Sequence, residues 1–113
     1  MPTVSQHFER AEPRVRATYD ALLGIARTLG DVVEDPKKTS IHLNRRSAFA
    51  GVATRKTALI LTLKSPVEIT SPRIGKREQA SKNRWHNEIR LESAADLDAE
   101  VIAWLKQSWE MSA

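Results

Sequence analysis

Apolar positions change their spacing along the chain, and each change marks an element. Val15, Tyr19, Leu22, Ala26 and Leu29 recur in alternating steps of four and three. That is one stripe of a 3.6-residue period and predicts an amphipathic helix over residues 12–30. Pro13 suits the first helical position, where a missing N–H removes no bond, and Gly30 ends the helix because it tolerates positive φ. Ahead of it, residues 1–11 read as an arm with a short helical turn. Thr3 and Gln6 have capping-box spacing, and Phe8 is placed to anchor the arm to the body.

Past "DVVEDPKKT" the period drops to two. In "TSIHLNR", Ile41 and Leu43 point one way, and Ser40, His42 and Asn44 the other. "SAFAGVA" is a second extended run. "TALILTLKS" is a third, with Leu59, Leu61 and Leu63 on one face and Ala58, Ile60 and Thr62 on the other. "PVEITSPRIGKREQASKNR" is broken by two prolines and a glycine, with residues 73–79 read as partly extended. "RWHNEIRLE" alternates again: Trp85, Asn87, Ile89 and Leu91 oppose His86, Glu88, Arg90 and Glu92. Ser93 and Asp96 then form an S-x-x-D capping box. Leu97, Val101, Trp104, Leu105 and Ser108, widened by Ile102 and Trp109, give a broad helical face over residues 93–111.

The order helix, three strands, connection, strand, helix predicts an α+β fold in two layers. Residues 39–92 would form a mainly antiparallel sheet of about four strands, with both long helices packed on one face. At 113 residues, with 41% hydrophobic and 28% charged content, the chain is expected to be one soluble domain. With no cysteine, a disulfide framework and a thiolate nucleophile are both excluded. The opening "MPTVSQHFER" lacks an apolar export segment, so the expected address is cytoplasmic, without membrane contact.

The quoted stretches "HFERAEPRVRATYDALL", "PKKTSIHLNRRSAFAGV", "SPRI", "NRWHNEIRLES" and "DLDAEVIAWLKQSWE" resemble, in order and over nearly the whole chain, the bacterial domain of unknown function family 5655. The resemblance implies a small α+β domain that occurs alone or fused to other modules. It implies no activity, substrate or catalytic residue. Some members begin with a cysteine- and histidine-bearing segment similar to a zinc ribbon, which this chain lacks.

The net charge of +4 is unevenly spread. Residues 36–90 hold thirteen basic and three acidic residues, a net +10, while the segments before and after are acidic. Arg45, Arg46, Arg55, Lys56, Lys76 and Arg77 fall at turns or connections, and clustered they would bind nucleic acid or another polyanion. The plainer role for such charges is to protect strand ends from edge association. Trp85 and Phe49, the aromatic residues of the basic segment, have core parity, which speaks against a base-stacking platform.

His42, Asn44, His86, Glu88 and Arg90 share the polar parity and form a candidate ligand-binding row. On adjacent strands, His42, His86 and Glu88 would share a proton or a metal; on separated strands they would only wet the sheet. No recognised catalytic, cofactor or metal motif is present. A binding module for an anionic partner is therefore the leading expectation. The alternatives are a homodimeric or partner-docking accessory domain, using Trp109 or Ile60, and an enzyme built on His42, His86 and Glu88.

Overall fold

The structure is a computed structural model and describes residues 1–113. Helix α1 spans Pro13–Arg27 and buries Val15, Tyr19, Leu22, Leu23 and Ala26. It ends at Thr28, and Gly30 follows with φ +154°. The arm forms one 3₁₀ turn, Ser5–Phe8, closed by the reciprocal bonds its sequence predicts: Thr3 N donates to Gln6 Oε1 and Gln6 N to Thr3 Oγ1.

The sheet has six strands rather than about four. They are β1 (Val33–Pro36), β2 (Ile41–Asn44), β3 (Ala48–Thr54), β4 (Leu59–Ser65), β5 (Ile74–Ser81) and β6 (Arg84–Leu91), in the order β1-β2-β3-β4-β6-β5. Every pairing is antiparallel. The first four form a meander. The chain then crosses to the far edge as β5 and returns as β6, between β5 and β4. The two added strands are the two edges. In β5 only Ile74 is buried, so no alternation betrays it. The short "VEDP" strand is held from outside: Tyr19 of α1 donates to Glu34 Oε2 at 2.6 Å.

Ile41, Leu43, Val52, Leu59, Leu61, Leu63, Ile89 and Leu91 share one hydrophobic cluster with the buried faces of both helices. Removing such surface from water is the main driving force for folding. The second helix, α2, runs Ala99–Glu110, later than its capping box suggests. The Ser93–Asp96 box is formed, but it caps a separate 3₁₀ turn, Ala94–Asp96. Asp98 caps α2 itself, accepting from Val101 N at 3.1 Å. Arg73 reaches over from the crossover and donates to both Asp98 oxygens at 2.7 Å and to Asp96 O at 2.8 Å. The guanidinium holds the Asp98 carboxyl below the usual carboxylate range.

A bulge in β3 sets the joint between sheet and α2. Leu43 faces Ala50 and Asn44 faces Ala48, which leaves Phe49 as the extra residue. Phe49 and Ala50 are consequently both buried, and the Phe49 ring meets Trp109 edge-on at 5.3 Å. Trp109 is 8% exposed and belongs to the core, which removes it from the candidate partner interface.

Burial, and then the bond to Glu34, push the Tyr19 phenol above its ordinary value. The folded state therefore keeps a proton that the unfolded chain loses above about pH 10. Stability from this group is fully present below that pH and is lost as pH rises beyond it. Tyr19→Phe is expected to flatten the alkaline limb of a pH–denaturation profile; an unchanged limb would assign the loss to other groups.

Candidate functional site

Alternation leaves the second face of the sheet without helices, and the register fixes what it displays. Asp35, His42, Gly51, Thr62, Glu88 and Lys76 lie in one row across β1, β2, β3, β4, β6 and β5. Toward one end, Lys64, His86 and Glu78 form a second row; toward the other, Ala53, Ile60 and Arg90 form a third. The outward positions of β3 are small. Gly51 and Ala53 floor a trough of about 300 Å³, with Ser40 and His42 on one bank and Thr62 and Lys64 on the other, and with His86 at its margin.

The two imidazoles border one concavity but do not meet. His42 stands on β2 and His86 on β6, with β3 and β4 between them. Three strand spacings put them on the order of 14 Å apart, far beyond proton transfer or shared coordination. No group of three or more His, Asp or Glu side chains forms a metal cluster. Glu88 lies between Thr62 and Lys76 across the sheet, and Arg90 Nη2 donates to Thr57 Oγ1 at 3.4 Å. Asn44 ends β2, opposite Val33 and the bulged start of β3. The row assembled from sequence is thus one face, but not one reacting centre.

The basic residues divide among three places. Arg45 and Arg46 occupy the turn before β3, and Arg55 and Lys56 the turn after it. The seven residues of β3 between them span roughly 23 Å. Lys76 lies on the outer face of β5, while Arg77 has the opposite parity and donates to Ser71 O at 3.4 Å. Arg45 is committed to the fold: its guanidinium lies 4.3 Å from the Trp109 ring centroid and donates to Trp109 O at 3.2 Å. Lys64 is different. Burial, and then the neighbouring Arg84, lower its affinity for a proton, and its Nζ lies 3.5 Å from Ser47 Oγ. Lys64 lines the trough, with Arg84 near it and the turn that carries Arg46 and Ser47 within reach of its ammonium, so this end of the trough is cationic. Lys64 and Arg84 have no distinguishing motif, and only the β4–β6 register brings them together.

A second concavity, of about 250 Å³, opens at the opposite end of the sheet, between the arm and the β3–β4 turn. His7, Arg10 and Ala11 line one side, and Thr54, Arg55 and Lys56 the other. Arg10 and His7 join Arg55 and Lys56 only through tertiary packing, since they are more than 40 positions apart in sequence. Their sole sequence signal is Phe8, the apolar anchor that docks the arm.

No helix is long and apolar enough to cross a membrane. No curated protein and no solved structure matches the chain. Residues 4–112 match the family model described as "Domain of unknown function (DUF5655)", and the chain belongs to that family.

Proposed function

We propose that this domain is a cytoplasmic binding module whose helix-free sheet face takes a phosphate-rich polymer such as single-stranded nucleic acid. The observation that carries the reading is the cationic end of the trough. Lys64 is partly withdrawn from water beside Arg84, and neither forms an ion pair. Two like charges held close together, one of them lining a concavity, favour an anion that neutralises both. The floor of Gly51 and Ala53 lets an extended backbone approach the sheet closely. The face offers no exposed aromatic platform, since Phe49 is buried and Trp85 has helix-side parity. Recognition would therefore go through phosphates, without base stacking, and would be insensitive to sequence.

Binding of a labelled oligonucleotide, followed by anisotropy, is expected to weaken steeply with salt. With Arg46, Lys64 and Arg84 each meeting a phosphate, the slope of log K against log salt is about −2 for a single strand. Lys64→Ala combined with Arg84→Ala is expected to reduce that slope by about 1.4 units. Arg45 is left intact because its loss would unseat Trp109. A flat salt response, or wild-type binding by the double variant, refutes the reading.

A further inference from the structure

We propose that the cleft between the amino-terminal arm and the β3–β4 turn is a seat for one phosphate group, gripped by Arg10, Arg55 and Lys56. The cleft lies on the helix side of the sheet, at the end remote from Lys64 and Arg84, so the inference is independent of the reading of the outer face.

The backbone on both sides of the cleft is fixed. Phe8 packs on Tyr19 with ring centroids 5.1 Å apart. Thr54 Oγ1 donates to His7 O at 2.6 Å, and Glu12 N donates to Lys56 O at 2.8 Å. The His7 ring nitrogen Nε2 bonds Lys37 O at 2.8 Å, which makes Nε2 the protonated position. The arm and the turn are therefore locked together before any ligand arrives. Preorganisation of this kind removes much of the ordering cost of binding.

The charges in this frame are unbalanced. Arg14, Arg16, Arg27, Lys37 and Arg73 each pair with a carboxylate. Arg10, Arg55 and Lys56 pair with none, and no acidic residue lines the cleft. Glu9, beside Arg10 in sequence, neither lines the cleft nor pairs with Arg10, and Glu12 turns to Arg14 at 3.6 Å. Arg46 and Arg84 lack a carboxylate partner too; what sets Arg10, Arg55 and Lys56 apart is that the three line one concavity whose backbone is held on both sides. Three cations converging on one preorganised cleft with no acid in its lining favour an anion that neutralises them together. The Arg10 fork, the Arg55 fork, whose Nη1 also donates to Thr54 O at 3.1 Å, and one point charge match an anion with several oxygens in different directions, better than a planar carboxylate that one arginine already satisfies.

The test is a titration of the full chain with inorganic phosphate, against chloride at matched ionic strength, followed by amide chemical shifts. Saturable shifts are expected at Arg10, Thr54, Arg55 and Lys56 with one common midpoint, and any change at Lys64 and Arg84 reports the outer face and should follow a separate midpoint. Arg10→Gln with Arg55→Gln should weaken this binding about tenfold or more, because each lost guanidinium removes charge-assisted bonds. Native shifts at Phe8 and Tyr19 in that variant would show that the arm is still docked. A parallel titration with phenyl phosphate separates the sources: tighter binding than inorganic phosphate identifies a monoester, and weaker binding identifies the free ion. Shifts that never saturate, that spread over all cations alike, or that persist unchanged in the double variant overturn the proposal. Oligonucleotide binding retained by the double variant would show that the two anion sites stand or fall separately.

Discussion

Gly30→Ala is expected to lower the melting temperature by about 10–20 °C, while Gly24→Ala raises it slightly. A Cβ built on Gly30 lies 2.7 Å and 2.9 Å from the Cζ2 and Cη2 atoms of Trp109, far inside van der Waals contact. The indole has little room to yield. Phe49 abuts it edge-on, and the Arg45 guanidinium lies over its ring. Overpacking of this kind costs about 1–3 kcal/mol. The backbone adds its own penalty, because φ +154° is a conformation that L side chains rarely adopt, at about 1–3 kcal/mol. Together they remove a large part of a stability that is typically about 5–15 kcal/mol. At Gly24, within α1, an added Cβ meets nothing within 4 Å, so helix propensity alone acts and favours alanine by about 0.5–1 kcal/mol. The clash has a further signature. If the indole is what the new methyl strikes, Trp109→Leu and Gly30→Ala must be less costly together than the sum of the two alone. Strict additivity in thermal or denaturant unfolding would locate the damage in the backbone instead.

The same joint explains what the amino-acid pattern could and could not convey. Both long helices and the strands β2, β3, β4 and β6 follow from periodicity, since each has one face pressed into the core. The edge strands carry no such record. β5 is exposed along nearly its whole length, and β1 depends on a phenol from α1 and a partner strand. Alternation also placed His42, Asn44, His86, Glu88 and Arg90 on one face. It carried no information about strand order, and strand order decides that His42 and His86 are neighbours of other residues rather than of each other. Arg45 reads as a solvent-facing charge because nothing local predicts an indole 64 residues later in the chain. The arm cleft was hidden for the same reason: docking of Phe8 on Tyr19 brings Arg10 to Arg55 and Lys56. Local pattern fixes which face a side chain takes, whereas convergence of charges needs the register of distant segments.

Ser108→Ala is expected to cost about 2–4 kcal/mol, more than any other single hydroxyl removal in the molecule. Ser108 is fully buried on α2, where sequence periodicity counts it as one more position of an apolar stripe. Its hydroxyl accepts from Lys64 N at 2.9 Å and donates to Phe49 O. Those are the two backbone groups separated by the β3 bulge, because regular β3–β4 pairing begins only at Ala50 and Leu63. The serine therefore completes the ladder where the extra residue interrupts it. Alanine would leave a buried N–H and a buried C=O without partners, each at about 1–3 kcal/mol, with some relief from relaxation. Hydrogen exchange gives the discriminating readout. The Lys64 amide should lose protection in Ser108→Ala while amides in the middle of β4 change only by the global loss. Gln107→Ala, one position away on the same helix, should stay within about 0.5 kcal/mol of the parent. Retained protection at Lys64 would mean that the strand closes the gap without the hydroxyl. The consequence reaches the other side of the sheet, since the residue whose backbone Ser108 pins is the same lysine that borders the trough. Loosening it from the helix side is expected to weaken oligonucleotide binding with no change to any residue on the binding face.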